Sequence, residues 1–208
     1  MHRTRLALVA APVLTGLLLS AAPAHAEPVK RKDIVGAVAT AKVFPAFKDV
    51  SIAKFEEDTF SYLSSGPDYL DCSENRTAKG TSGMLVDGFD YEDGRSLRVS
   101  GQVVRFKRVA KAKRIFAAVR RHVRLCDNYW MGVDTTQRPA PAPKVGDQRI
   151  GYRLTERFAP ELDEPTRHTI AIAIRDGRRV ATLSVERTKR IPAKRFAKLA
   201  RIAATKMK

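Results

Sequence analysis

One segment constrains the fold of this chain more than any other. From about position 109, apolar residues recur at the i, i+3, i+4, i+7 spacing of a single helix face. The stripe consists of Ala112, Ile115, Phe116, Val119, His122, Val123 and Cys126. This spacing predicts a helix from about Val109 to Leu125. Cys126 then lies at the end of the helix, on the apolar face that turns toward the core.

The first 26 residues have the features of a secretory signal peptide. Arg3 and Arg5 precede an apolar run, and Ala24-His25-Ala26 has the small-x-small form of a signal peptidase site. The run is shorter than the roughly 20 residues of a spanning helix, so cleavage between Ala26 and Glu27 is predicted. No cysteine near this site offers a lipid anchor, and no later segment is apolar enough to span a bilayer. We therefore expect a secreted, extracellular protein without a transmembrane segment in the mature chain.

The chain has two cysteines, Cys72 and Cys126. An even number of cysteines in an exported chain predicts a disulfide. Closing a loop of this length stabilises the fold by about 4 kcal/mol in the chain-entropy description. The alternative is a pair of free, buried thiols.

The N-terminal part of the mature chain has a weaker pattern. Asp33 is suited to cap a short helix that continues through Val38 and ends at Pro45. Beyond it, the acidic run at 56–58 and the scattered aromatic residues indicate packed but irregular structure up to about Leu70.

The remaining segments alternate between strands and helices. A change of apolar phase after Gly101 predicts a β-bulge, and the prolines in 137–144 predict an extended connector. Asp176-Gly177 predicts the turn of a β-hairpin, and a C-terminal helix is expected from Pro192 onward. The fold class is therefore α+β, an antiparallel sheet with helices packed on one face and one disulfide. The expected organisation is a signal peptide (1–26), a helical and irregular segment (27–70) and an α+β part (71–208), the last two forming one domain.

Candidate catalytic and metal-binding residues are few. Beyond the signal peptide only His122 and His168 remain, and each continues an apolar row, which favours packing over catalysis. No zinc-ligand spacing or nucleophile motif is present, so neither a metal nor a cofactor is expected, and a non-enzymatic protein is favoured. The alternative is a secreted hydrolase that uses a carboxylate pair. Its candidate residues follow turn signals: Asp68, Asp71, Glu74, Asp87 and Asp90.

The formal net charge of +17 is unevenly distributed. Residues 27–90 carry 8 Lys and Arg against 11 Asp and Glu, whereas 91–208 carry 29 against 11. Two predicted helices present basic faces opposite their apolar stripes. A solvated helix face is one interpretation, and binding to an anionic envelope polymer or to lipid head groups is the other. The candidate polyanion-binding residues are Lys111, Arg114, Arg120, Arg121, Arg124, Lys194, Arg195, Lys198 and Arg201. No aromatic residues are interleaved with them for base stacking, which disfavours sequence-specific nucleic-acid binding.

The order of these features resembles a known family. A cysteine precedes a strand region, and the amphipathic helix ends at the second cysteine. Val145-Gly146-Asp147, a strand, the hairpin at 174–183 and a closing helix then follow. This arrangement, from about Cys72 to Met207, resembles the extracellular sensor domain of mycobacterial PknH-type serine/threonine kinases, which also occurs as stand-alone secreted or lipid-anchored proteins of actinobacteria.

The resemblance implies an antiparallel sheet with flanking helices and a cleft for an unknown ligand. The chain departs from the kinase version in having one cysteine pair where that sensor has two, and no ligand contacts are carried over. We therefore expect an exported, non-enzymatic ligand-binding or sensor-like protein of the bacterial cell envelope. The alternative is a cationic secreted protein that binds polyanionic cell-surface material.

Overall fold

The computed structural model of the chain describes residues 27–65, 72, 74–92, 95–130 and 132–207. The predicted signal peptide and its cleavage site after Ala26 therefore lie outside the described residues. The helices are α1 (Ala37–Val43), α2 (Val109–Leu125) and α3 (Ala193–Lys206). The strands are β1 (Ile52–Glu56), β2 (Thr59–Ser64), β3 (Glu74–Lys79), β4 (Ser82–Glu92), β5 (Arg95–Arg105), β6 (Asn128–Trp130), β7 (Asp134–Ala140), β8 (Gln148–Arg157), β9 (Arg167–Asp176) and β10 (Arg179–Arg187).

Eight of these strands form one antiparallel sheet in the order β1-β4-β5-β10-β9-β8-β7-β6, and β2 and β3 form a separate hairpin. A disulfide joins Cys72 to Cys126, with their Cα atoms 5.7 Å apart. The α+β class, the antiparallel sheet and the disulfide are thus confirmed.

The helices, however, are divided between the two faces of the sheet, so their expected placement on one face is corrected. Successive strand side chains point to opposite faces, and β9 is apolar on both. Ile170, Ile172 and Ile174 pack with α1 and α3, whereas Ala173 packs with α2. Small alanines between the isoleucines leave room for a second helix layer. We call these two sides the α3 face and the α2 face.

The periodic segment behaves as its spacing predicts, since α2 spans Val109–Leu125. Ile115, Phe116 and Val119 are buried against Val104 and Val180 of the α2 face. Cys126 follows the last helical residue and is also buried. The end of the helix therefore places the disulfide at the edge of the core, as expected.

The N-terminal segment is more regular than the sequence indicates. Two strands, β1 and β2, replace the expected irregular stretch, and β1 extends the large sheet by pairing with β4. The helix α1 starts only at Ala37 and leaves Val38 85% exposed. Asp33 instead accepts a hydrogen bond from the backbone of Lys30 and ends a short 3-10 turn. Val35, Phe44 and Phe47 of this segment are buried in the α3-face core.

Two turn assignments also change. The registers of β5 with β4 and β10 run without interruption through Gly101, so the predicted bulge is wrong. Gly101 is instead a close-approach position, because a Cβ there would lie 2.9 Å from the carbonyl oxygen of Thr182. The β9–β10 hairpin is confirmed, but Asp176 pairs with Arg179, which makes Gly177 and Arg178 the central turn residues. Gly177 has φ +54°, as a tight hairpin turn requires.

The proline-containing stretch 137–144 is a connector only in its second half. Its first half completes β7, where Pro139 pairs with Tyr152. The strand on the other side of β7 reaches only Thr136. Pro139 therefore lies at a free edge, where a missing backbone donor is tolerated.

Candidate ligand cleft

A cleft of about 350 Å³ opens between α2, the β2–β3 hairpin and the α2 face of the sheet. The side chains that line it come from all three layers. They are Ser61, Tyr62, Leu63 and Asn75 of the hairpin, Val119, His122 and Val123 of α2, and Ser100, Gln137, Tyr152, Leu154, Thr182 and Ser184 of the sheet. We refer to this space as the cleft.

The floor of the cleft follows from the alternation along β5 and β10. On the α2 face, Val104 pairs with Val180 and both are buried under α2. Four residues farther along the same face, Ser100 pairs with Ser184, and their hydroxyl oxygens lie 2.8 Å apart. The change from valine to serine removes bulk below the helix. The strand residues therefore create space at this end of the sheet and line it with hydroxyl groups.

The hairpin that roofs the cleft is held by packing, by hydrogen bonds and by the disulfide. Phe60 of β2 is buried in the α2-face core. The amide of the buried Gln102 donates to the backbone carbonyl of Ser61 and accepts from the Ser61 N–H at 3.2 Å. At the other end, Cys72 precedes β3 and is bonded to Cys126 at the end of α2. A two-stranded hairpin is marginal by itself in water, so these attachments together determine where the roof lies.

His122 is the most unusual side chain in the wall. It is 3% exposed, and neither ring nitrogen has a hydrogen-bond partner within the described residues. Burial lowers the pKa of His122 to about 4, so the ring is neutral near neutral pH. A neutral imidazole carries one donor and one acceptor, and leaving such groups buried and unpaired costs about 1–3 kcal/mol each. The Tyr129 ring packs edge-on at 5.6 Å and supports one side of the imidazole.

Gln137 and Tyr152 complete the wall toward the outer strands. The Gln137 side chain, 1% exposed, donates to the backbone carbonyls of Cys126 at 2.8 Å and His122 at 3.3 Å. It thereby fastens the last turn of α2 to β7. Burial raises the pKa of the Tyr152 hydroxyl to about 12, so this group stays protonated. Among the described lining residues, none carries a formal charge when His122 is neutral.

The candidate carboxylates of a hydrolase are not brought together where they are described. Glu74 accepts hydrogen bonds from Ser64 at 2.9 Å and Arg76 at 2.7 Å in the hairpin. Asp87 forms an ion pair with Arg98 at 3.1 Å. Asp90 follows three positions later on β4 and so points to the opposite face. Asp68 and Asp71 lie outside the described residues.

The nine candidate polyanion-binding residues are all exposed. They form two separate sets, because α2 and α3 lie on opposite faces of the sheet. Lys111 also donates to the backbone carbonyl of Lys79 at 2.8 Å and lies 5.6 Å from the Phe106 ring centroid. Whether either set binds a polyanion stays a prediction.

Most of the lining residues carry no local signal in the sequence. Ser100, Thr182 and Ser184 are separated by polar or apolar neighbours that attract no attention singly. Only their positions on the strands distinguish them. Each is an even-numbered residue of a strand whose odd-numbered residues are buried on the other face of the sheet. His122 was identified as a packing residue, and its burial is confirmed, but its unpaired nitrogens were not foreseen.

Neither a membrane-spanning helix nor a cluster of metal-ligating side chains occurs in the part of the chain that the structure describes. No helix there is long and apolar enough to cross a membrane. Within the same residues, no three His, Cys, Asp or Glu side chains converge as they would around a metal ion.

Comparison with known proteins identifies a similar fold. The sequence matches no family model and no curated protein. Among solved structures, the chain is similar to the extracellular domain of PknH from Mycobacterium tuberculosis, with a TM-score of 0.53 and 12% sequence identity over 86% of this chain and 97% of that domain. The resemblance expected from the cysteine and hairpin pattern is thus supported at the level of the fold, which is that of a PknH-like sensor domain.

Proposed function

We propose that the protein is an exported, non-enzymatic, sensor-like domain that binds a small uncharged molecule in the cleft. The observation that carries this proposal is His122, whose unpaired donor and acceptor are buried in the cleft wall. Both nitrogens are covered in this structure, so a ligand contacts one of them by displacing the ring or a neighbouring side chain, and its polar group then makes a hydrogen bond that the fold leaves unmade.

Export rests on the predicted signal peptide and on the disulfide, because disulfides persist in oxidising compartments. The fold of an extracellular sensor domain is consistent with this location. Membership in the stand-alone, secreted actinobacterial group belongs to the same proposal.

The lining supports a particular class of ligand. Small-molecule sites span about 300–1,000 Å³, so a cleft of about 350 Å³ suits a compact ligand or one segment of a longer one. Val119, Val123 and Leu154 offer apolar contact, whereas the Ser100–Ser184 pair and His122 offer hydrogen bonds. Because formal charge is absent from the described lining, the ligand is expected to be neutral, with an apolar part beside hydroxyl or amide groups.

The test is a thermal-shift screen of the purified protein against cell-envelope extracts separated into neutral and acidic fractions. A ligand present at 100 times its Kd stabilises the folded state by about 2.7 kcal/mol, which a melting curve detects. The variant Ser184→Leu fills the floor of the cleft. Its matched control, Thr155→Leu, makes a similar polar-to-apolar change on the α3 face of the sheet.

We expect a neutral fraction to raise the Tm of the wild type and of Thr155→Leu, but not that of Ser184→Leu. The proposal is overturned if no fraction stabilises the wild type, or if the stabilisation persists when the cleft is filled.

A further inference from the structure

The α3 face of the sheet carries a second concave surface, on the opposite side of the sheet from the cleft. The buried core on this face draws its described strand residues from β4, β5, β9 and β10. The neighbouring strands β7 and β8 continue the sheet beyond the helices, and a groove of about 600 Å³ runs over them to the segment that precedes α3.

The groove is lined by basic side chains from four parts of the chain. Arg138 lies on β7, Arg153 and Arg157 on β8, His168 on β9 and Arg190 before α3. We call this set the arginine groove. Among the described residues that line it there is no Asp or Glu. Concave surfaces that carry charge of one sign concentrate the field and attract counter-ions.

The register places like charges next to each other. Arg138 is directly opposite Arg153 on the neighbouring strand, an arrangement that destabilises a sheet when nothing neutralises it. Arg138 is partly neutralised, since its guanidinium donates to the Asp127 carbonyl at 2.9 Å and lies 3.6 Å from the Asp127 carboxylate.

The other arginines have no such compensation. Within the part of the chain that the structure describes, Arg153, Arg157 and Arg190 take part in no side-chain hydrogen bond or ion pair. Asp134 lies opposite Arg157 in the register, but the two form no ion pair. These guanidinium groups therefore hold unused donors at the wall of the groove.

A further unpaired donor lies next to the groove, outside its lining. Arg187 pairs with His168 across β10 and β9, and its Nε is buried without a hydrogen-bond partner among the described residues. Thr155 pairs with His168 on the other side. Donors thus follow one another across three adjacent strands.

The spacing and the residue type point to the ligand. Arg153 and Arg157 are four positions apart on one face of a strand, so their backbones are about 13 Å apart at 3.3 Å per residue, and the row of arginines is long enough to follow several linked phosphates. The four charged side chains of the described groove lining are all arginines, whose planar fork suits bidentate contact with phosphate oxygens. We propose that the arginine groove binds a linear polyanion with repeated phosphate groups, at a site separate from the cleft and from the exposed helix faces.

The experiment measures the binding of short-chain inorganic polyphosphate to the purified protein over a range of salt concentrations. The groove variant carries Arg153→Gln, Arg157→Gln and Arg190→Gln. The matched control carries Arg114→Gln, Arg120→Gln and Arg124→Gln, which removes the same charge from the face of α2. Melting curves of both variants establish that they are folded.

We expect the three substitutions of the groove variant to raise the Kd for polyphosphate at least about tenfold. They should also lower the steepness of the plot of log association constant against log salt concentration by about 2, because each lost phosphate contact with a flexible polyanion contributes about 0.7. The control variant is expected to change the Kd less than about threefold.

Four results would overturn the proposal. The first two are an equal rise of the Kd in the groove and control variants, and a Kd of the groove variant that stays as low as that of the wild type. The third is that inorganic phosphate competes as well as polyphosphate at the same concentration of phosphate groups, and the fourth is that polyglutamate binds as tightly as polyphosphate. The first would assign the binding to overall charge, and the last two would remove the requirement for repeated phosphates.

Discussion

The cleft and the arginine groove lie on opposite faces of one sheet and differ in the chemistry of their linings. The cleft lies between three layers, is lined by hydroxyl and apolar groups, and has no formal charge in its described lining. The groove lies over the outer strands β7 and β8 and is lined by four arginines. The strand β8 contributes to both, with Tyr152 toward the cleft and Arg153 and Arg157 toward the groove.

This difference follows from the two-residue period of side chains along a strand. Because neighbouring strand residues face opposite sides, one strand sequence specifies two surfaces that need not share any chemistry. A large net charge is therefore compatible with a neutral ligand site, provided that the charged and uncharged residues alternate. The two sites are expected to respond independently to mutation.

The largest expected effect is the loss of the disulfide. The double variant Cys72→Ser, Cys126→Ser is expected to lower the free energy of unfolding by about 4 kcal/mol, as measured by urea denaturation at low temperature. The hairpin that roofs the cleft loses its covalent attachment, whereas the strands of the groove lose none of their contacts. The control is the wild-type protein unfolded by urea in the presence of a reducing agent, and its free energy of unfolding should match that of the variant.

In the folded fraction of this variant, hydrogen exchange should accelerate in β2 and β3 but not in β7 and β8. Equal acceleration on both sides of the sheet would contradict the separation of the two sites.

A smaller effect is expected from the protonation of His122. Its pKa falls from 6.5 to about 4 on folding because of burial, so between these values the unfolded chain binds the additional proton. The free energy of unfolding should therefore decrease by about 2–3 kcal/mol as the pH falls from 6.5 to 4, and this contribution should be constant above 6.5.

His122→Leu should remove this contribution from the pH dependence, as followed by denaturant unfolding at a series of pH values. Burial also raises the pKa of Glu156, which acts in the opposite direction, but this term is common to both proteins and cancels in their difference. His168→Leu is the matched control, because it changes a histidine of the groove and leaves His122 in place. An unchanged acid profile in His122→Leu would contradict the burial of a neutral ring.

Gln102→Leu tests the hydrogen-bonded attachment of the hairpin. Loss of its two hydrogen bonds to Ser61 is expected to lower the free energy of unfolding by about 1 kcal/mol, because the exposed Ser61 backbone is then solvated by water. The measurement is denaturant unfolding together with hydrogen exchange in β2. Gln148→Leu is the control, since its amide accepts a hydrogen bond from Arg175 instead. Faster exchange in β2 in both variants would refute a specific role of Gln102.

The smallest effect is expected from the basic face of α3. Lys194→Gln, Lys198→Gln and Arg201→Gln should change the free energy of unfolding by no more than about 0.5 kcal/mol in total, as is usual for exposed substitutions. The three side chains are exposed, so their charges are available to a partner without serving the fold. A Tm change of many degrees in this variant would show that the basic face has a structural role.

The sequence predicted those elements whose residues face one apolar layer and one aqueous side. The stripe from Ala112 to Val123 is of this kind, and α2 has the predicted bounds. Phe196 and Leu199 likewise mark α3. The sequence is misleading for strands buried on both faces, because apolar and polar residues no longer alternate there. Val103 and Val104 are both buried, and two successive apolar residues look like a shift of phase after Gly101.

The site was less predictable than the fold for a related reason. The floor of the cleft depends on the pairing of Ser100 with Ser184, and the groove depends on Arg138 lying opposite Arg153. Each residue alone is an ordinary polar position on a strand. Only the register, which arises from the whole sheet, brings the pairs together.

The Ser100–Ser184 pair also has a consequence for the order in which the protein assembles. Its two residues are separated by 84 positions along the chain, whereas β7, β8 and β9 each pair with the next strand along the chain. Long-range pairings must overcome a larger loop-closure entropy than local ones. A chain still lacking β10 can form the β7–β8–β9 meander that carries most of the arginine groove, but it has no floor for the cleft. The proposed ligand site in the cleft is therefore complete only once β10 has paired with β5.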